Sequence, residues 1–407
     1  MNATERLTRA TRGLPAPLAV VDLDAFDANA ASLLRRAGGT PVRVASKSVR
    51  VRSLVARALD AGFAGVMAYS LEEALWLVGT GVRDVLLGYP TVDAAALDRL
   101  AADPVARREI TLMVDDVAQL ALARTALERV RADDGPNSAP RASSAPGPSG
   151  DVAVCLDVDS SLRLGVGRLQ AHLGTRRSPL RTPAQVAELA ARVAGTDGLR
   201  LRGLMFYEAQ VAGLPDTAAV RVVKALSVPD VDRRRRDILA AVRAAVGQDL
   251  ELVNAGGTGS LETSSAGTGV TEVTSGSGLF VPGTFDGMRR VTQRPSAFFG
   301  LDVVRRPARG WATAFGGGYV ASGPAGTSRL PRLVTPGWSL TRQEAAGEVQ
   351  TPLRLRGGKT LHVGDRVWFR PAKAGEPMER FAAVHLVRGD EVADTVPTYR
   401  GEGRTFG

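Results

Sequence analysis

Val42-Arg43-Val44-Ala45-Ser46-Lys47-Ser48 opens as a short apolar strand and closes on a lysine. Val42–Ser46 is the first of eight runs of this kind. The others are Gly65–Ala68, Val85–Leu87, Ile110–Val114, Val152–Asp157, Leu201–Phe206, Leu252–Asn254 and Thr271–Thr274. Helical patterns fill the gaps, among them Val49–Ala61, Leu71–Val78, Val92–Ala102, Val117–Arg131, Pro183–Val193, Thr217–Val246 and Gly259–Ala266. Strands buried on both faces read as unbroken apolar runs, and alternation with helices indicates βα units around a parallel sheet. Eight repeats match a (β/α)8 barrel of about 250 residues, whereas an open doubly wound sheet normally stops at about six strands.

Outside the repeats the pattern changes. Leu18–Leu23 reads as a strand that could belong to the barrel or to the C-terminal part of the chain, with Asp24 capping a helix to about Arg36. Asp133–Gly150 (DDGPNSAPRASSAPGPSG) has no aliphatic residue larger than alanine and reads as a flexible insertion, a domain linker being the rival reading. After Pro282, short β-type runs recur without long helices, from Ala297–Val304 to Asp394–Tyr399. The expected domains are a barrel over 15–285 with the insertion at 133–150, and a β domain over 286–407, possibly joined by residues 1–23.

Composition removes several functions. A net charge of +10 over 407 residues raises the question of nucleic acid, but basic residues run from Arg6 to Arg404 and aromatics are only 5%. That is not the basic, aromatic-studded stripe of a strand binder, so nucleic acid is not an expected partner. Cys155 is the only cysteine, which excludes an intrachain disulfide or a CxxC site, and the three histidines form no HExxH pair. No apolar run approaches the ~20 residues of a membrane span, and no secretory h-region follows Met1, so cytoplasm is the expected compartment. Lysine is scarce: Lys47, Lys224, Lys359 and Lys373 are the only four among 52 basic residues.

Barrel enzymes place chemistry at the C-terminal ends of their strands. Lys47 falls at such an end, where partial desolvation would favour the neutral amine that condenses with an aldehyde. A lysine merely snorkelling from a strand end is the plain alternative. Of its rivals, Lys224 lies in a helix, Lys359 in a turn and Lys373 in the β module. After the seventh and eighth strands come Asn254-Ala255-Gly256-Gly257-Thr258-Gly259-Ser260 and Ser275-Gly276-Ser277-Gly278. Loops in those positions commonly hold phosphate through backbone N–H groups, although glycine clusters alone are usually turns. Neither is a nucleotide fingerprint, since Glu262 takes the last glycine position of GxGxxG. An amine on the first strand and a phosphate cradle on the last two suit pyridoxal 5'-phosphate (PLP). Arg163 and Asp159 after strand five, Tyr207-Glu208 after strand six and Tyr89 beyond strand three are further candidates, each with an ordinary loop role as its alternative.

At these residues the chain resembles the fold-type III PLP enzymes, the alanine racemase N-terminal-domain superfamily, and within it the D-threonine aldolase and D-serine dehydratase group. Leu18–Asn29 is similar to the family's opening strand and helix, and Ala45-Ser46-Lys47 to its Schiff-base lysine. Asp159-Ser160-Ser161-Leu162-Arg163-Leu164-Gly165 is similar to the segment whose arginine lies near the PLP phenolic oxygen. Gly256-Gly257-Thr258-Gly259 and Gly276-Ser277-Gly278 resemble the two phosphate segments. The resemblance implies a PLP-binding (β/α)8 TIM-type barrel followed by a C-terminal all-β domain, a homodimer, and a lyase acting on β-hydroxy D-amino acids. Lys47, Tyr207 and Glu208 are then the catalytic candidates, and Lys47, Arg163, Tyr207, the two glycine segments and their hydroxyls the cofactor-binding ones. The group's metal ligands, a histidine followed closely by Asp or Cys, have no counterpart in Phe369–Glu379, so no metal is expected; a hard-metal site on Glu376 or Glu379 is the alternative. An amino-acid racemase, which uses a lysine and an opposed tyrosine, and a non-turnover PLP-binding paralogue are the rival functions; the β-module tyrosines Tyr319 and Tyr399 lie in no segment that matches a racemase tyrosine.

Overall fold

The computed structural model describes residues 3–133, 151–165 and 167–407. Apart from Asp133, the expected insertion at 133–150 lies outside the described residues. In chain order the strands are β1 (Leu18–Asp22), β2 (Val42–Ala45), β3 (Gly65–Ala68), β4 (Val85–Leu87), β5 (Ile110–Val114) and β6 (Val152–Asp157). A short hairpin, β7 (Leu162–Leu164) and β8 (Ala171–Leu173), precedes β9 (Leu199–Phe206), β10 (Leu252–Ala255) and β11 (Glu272–Ser275). Then follow β12 (Ala297–Arg305), β13 (Trp311–Phe315), β14 (Arg332–Leu333), β15 (Trp338–Leu340), β16 (Gln350–Leu355), β17 (Arg366–Arg370), β18 (Ala383–Arg388) and β19 (Glu391–Pro397).

The chain forms two compact units. One comprises Leu34–Ala45, Phe63–Ser275 and Phe406–Gly407; the other comprises Met1–Leu33, Ser46–Gly62 and Gly276–Thr405.

In the first unit the eight expected strands close a parallel barrel in the order β10-β11-β2-β3-β4-β5-β6-β9. Leu86, Met113, Cys155, Met205 and Leu252 pack as its apolar filling, with Met67 against them. On the outer faces, Val85, Ile110, Val154 and Leu204 join the helical Leu97, Leu100, Val186 and Ile238 in a larger core. Alternate residues of each strand thus serve two cores, which is why the runs are apolar throughout. Gly203 permits the closest approach: a Cβ there would lie 1.9 Å from the Leu252 carbonyl oxygen, opposite a bulge between Val154 and Cys155.

One part of the filling is charged. Arg43 on β2 is fully buried and forks onto Glu272 at 2.7 and 2.8 Å, while also meeting the Asp84 carboxylate at 2.7 Å. Carbonyls of Asp84 and Val66 accept its remaining N–H groups. Burial opposes the charge, but Glu272 and Asp84 outweigh it and hold the guanidinium firmly protonated.

The second unit is built on a nine-stranded sheet, with the path β15-β16-β13-β12-β1-β18-β19 and β17 joining β12 to β14. β1, whose place the sequence leaves open, lies in this sheet, antiparallel to β12 and parallel to β18. Leu7, Leu18, Val20, Phe298, Trp368 and Val387 form a core on it. Leu7 comes from a helix over Ala3–Ala10 that the sequence pattern does not signal. Phe299 stacks on Phe369 with centroids 5.0 Å apart, and Tyr319 meets Phe299 edge-on at 4.9 Å. Among the described residues, no helix is long and apolar enough to cross a membrane.

Candidate active site

All eight barrel strands run parallel, so the residues after their C-terminal ends share one rim. Glu208, two residues past β9, is 5% exposed and turns its carboxylate onto the glycine loop that follows β10. The Gly256 N–H donates to one oxygen at 3.1 Å, and the hydroxyls of Ser260 and Ser264 donate to the other. From the opposite side Arg36 donates to the Thr258 carbonyl at 2.8 Å and pairs with Glu262 at 2.6 Å. The glycine positions of the loop leave no room for a Cβ. Gly256 has φ +81°, and a Cβ on Gly259 would lie 2.3 Å from the Ala212 carbonyl oxygen. Thr258 and Ser275 share a hydrogen bond of 2.8 Å between their hydroxyls, tying this loop to the end of β11.

β6 ends on Asp157, and after it come Asp159 and, on the hairpin, Arg163. Asp159 is buried and pairs with Arg163 at 2.7 Å and Arg181 at 3.0 Å. Burial would raise its pKa, but hydrogen bonds from Ser161 and the two arginines hold it below the usual carboxylate range. Asp157 differs: burial, reinforced by Asp115, pushes it up to about 7, with Arg177 opposing. Arg177 sits over two rings, 5.4 Å from the centroid of Tyr207 and 5.3 Å from that of Tyr89. Burial holds the Tyr207 phenol above its ordinary pKa.

In the other unit, Lys47 occupies a tight 3-10 turn over Ser46–Ser48, directly after β2. The lysine is exposed between buried neighbours rather than partly buried as a strand-end residue is expected to be, since β2 stops at Ala45 and Lys47 lies in the turn after it. The Ser48 hydroxyl shares a hydrogen bond of 2.9 Å with that of Ser277, so the lysine turn and the Gly276-Ser277-Gly278 segment are joined. Gly375 backs the same turn, since a Cβ there would fall 2.0 Å from the Lys47 carbonyl oxygen. These two segments follow β2 and β11, which are neighbours in the barrel.

The residues fit PLP. In one unit Lys47 is exposed and its turn is bonded to the hydroxyl-bearing Gly276-Ser277-Gly278 segment; in the other the Gly256–Gly259 loop, too tight for a Cβ at Gly259, carries the Thr258 hydroxyl, and these are the residue types that an aldehyde and a phosphate require. A divalent metal does not fit where the resemblance would look for one. Glu379 is held by Arg50 at 2.7 Å, and Glu376 by Ser322 at 2.6 Å and Lys373 at 3.2 Å. Among the described residues, no cluster of three or more His, Cys, Asp or Glu could hold an ion. Arg36 and Arg177 are not singled out by the sequence. Their partners are far along the chain, and only the position of Arg36 at the last turn of a helix gives any signal.

The alanine racemase, N-terminal domain family matches residues 21–281. Similar solved folds include D-threonine aldolase from Filomicrobium marinum (22% identity, 95% of this chain and 96% of that one, TM-score 0.75). D-threo-3-hydroxyaspartate dehydratase from Delftia sp. HT23 matches at 21% identity over 95% and 98%, with a TM-score of 0.69. Alanine racemase from Streptomyces lavendulae matches at 20% identity over 89% and 90%, with a TM-score of 0.59. No curated protein sequence matches.

Proposed function

The chain belongs to the alanine racemase N-terminal domain family of fold-type III PLP enzymes, and from that footing we propose that it is a lyase acting on β-hydroxy D-amino acids. The observation that carries this reading is the presence of an accessible lysine turn together with two hydroxyl-bearing glycine segments. Lys47 would carry the cofactor; Gly256–Gly259 and Gly276–Gly278, with Thr258 and Ser277, would hold its phosphate; Arg163 would face its phenolic oxygen. PLP, when bound, supplies an electron sink for negative charge at Cα.

The remaining steps fall to the protein's own groups. Both carboxylate oxygens of Glu208 accept hydrogen bonds from the glycine loop and its helix, which suits positioning. Tyr207 is the group left to carry a proton: its phenol is protonated at neutral pH and can hand that proton to a departing β-hydroxyl. Loss of that hydroxyl as water would lead to a keto acid and ammonia. Removal of the hydroxyl proton would instead allow Cα–Cβ cleavage to glycine and an aldehyde.

A racemase needs a second base opposite the lysine. Tyr399 is fully buried, and Tyr319 packs against Phe299 and Phe381, which disfavours either for that task. A homodimer is part of this proposal and is checked by sedimentation. The test of function is a D-amino acid panel assayed for aldehyde, ammonia and loss of optical rotation. Aldehyde or ammonia from β-hydroxy substrates supports the lyase; racemisation alone supports the rival.

A further inference from the structure

Tyr89 lies two residues past β4 and Tyr207 directly past β9, with β5 and β6 between those strands in the barrel. A side chain that rests on both rings therefore spans the barrel mouth above the ends of β5 and β6. Arg177 does so, at 5.3 and 5.4 Å from the two centroids. Contact with two aromatic rings restricts a guanidinium while engaging its π face, so its N–H donors stay available to a further partner. Other rim arginines of the unit already have carboxylate partners: Arg181 and the cofactor candidate Arg163 pair with Asp159, and Arg36 pairs with Glu262. Arg177, among the described residues, makes no ion pair and no hydrogen bond, and it is exposed.

We propose that Arg177 binds a carboxylate of the amino acid substrate across the barrel mouth. An immobilised guanidinium fork matches a carboxylate with two parallel hydrogen bonds, a geometry that an ammonium cannot reproduce. The charged groups around it are Asp157 and Asp115 at the strand ends and Asp159 beside them. Asp159 is neutralised by two arginines, and burial keeps Asp157 largely protonated below about pH 7. Arg177 opposes the rise at Asp157 but forms no ion pair with it among the described residues, so its N–H groups remain open to a ligand. Two carboxylates could fill this place: the α-carboxylate common to all amino acids, or a second one on the side chain of a dicarboxylic β-hydroxy substrate. This inference rests on the amino acid lyase reading but is separable from it.

The test has two arms. Malonate is titrated calorimetrically into the cofactor-free full chain and its Arg177→Ala, Arg177→Lys, Tyr89→Leu and Tyr89→Phe variants, with circular dichroism checking the fold. Binding should weaken at least tenfold in Arg177→Ala, partly recover in Arg177→Lys, weaken in Tyr89→Leu and recover in Tyr89→Phe. In the loaded enzyme, KM for D-threonine and for D-threo-3-hydroxyaspartate is measured for Arg177→Ala. A rise of tenfold or more for both assigns the α-carboxylate, and a rise for the dicarboxylate alone assigns the side-chain carboxylate. Unchanged malonate affinity in a folded Arg177→Ala protein overturns the proposal. If the wild type takes up no PLP, the lyase reading fails while the malonate arm still decides Arg177.

Discussion

Glu208 and Gly256 lie at the ends of neighbouring barrel strands, and the Glu208 carboxylate accepts the Gly256 N–H at 3.1 Å. The same carboxylate receives the hydroxyls of Ser260 and Ser264, so one buried anion sets the course of the glycine loop. Glu208→Ala would leave an N–H and two hydroxyls without their acceptor, at about 1–3 kcal/mol for a buried unmet partner. The variant should melt lower and bind PLP at least tenfold more weakly. Glu208→Gln, which keeps one acceptor, should fall between it and wild type in both thermal unfolding and cofactor titration.

Arg43 has 0% side-chain exposure, and its two carboxylate partners, Glu272 and Asp84, both lie within 2.7 Å. Removing Arg43 leaves the buried Glu272 without a cationic partner, while Asp84 keeps Arg202 at 2.7 Å, and a buried charge so uncovered costs about 3–5 kcal/mol. Arg43→Ala should lower the unfolding free energy by that amount, and more than removal of the exposed Arg192, paired only with its helical neighbour Glu188. Urea unfolding of the two variants provides the comparison.

Asp157 has a raised pKa, so the folded protein holds this proton more tightly than the unfolded chain. Its contribution is full below the ordinary carboxylate range and is lost as pH rises to about 7. Asp157→Asn, which stays neutral throughout, should match wild type near pH 4 and gain on it up to pH 7, by on the order of a few kcal/mol. Thermal melts of both proteins across that range measure the difference.

With Glu376 and Glu379 tied to Lys373 and Arg50, a divalent ion has no carboxylate to claim there. Prolonged chelation should leave any lyase rate within about twofold of its starting value, where a structural or catalytic ion would be worth far more. Metal analysis of the purified protein alongside the chelated assay checks this.

Much of the barrel was legible because parallel strands covered on both faces leave unbroken apolar runs, and Val42–Ala45 and Ile110–Val114 could be read without any contact being known. The hairpin of Leu162–Leu164 and Ala171–Leu173 was not, since Arg163 and His172 interrupt its short strands, whereas the equally short Val85–Leu87 is apolar throughout. Trp338–Leu340 was missed for the same reason. Among the candidate residues, Lys47 and the glycine segments stood out by residue type and position. Arg177 and the protonation of Asp157 did not, because a clasp between Tyr89 and Tyr207 and the burial of a carboxylate arise only when distant strand ends share a rim. The exposure of Lys47 is likewise a matter of turn geometry that an apolar run cannot signal.

The central claim is that Lys47 is the cofactor-bearing residue, and with four lysines in the chain it can be tested outright. The protein is incubated with PLP, reduced with borohydride, digested and mapped by mass spectrometry. The expected result is one stoichiometric pyridoxyl adduct on Lys47, absent from Lys47→Ala. An adduct confined to Lys224, Lys359 or Lys373, or no specific adduct at all, would contradict the account.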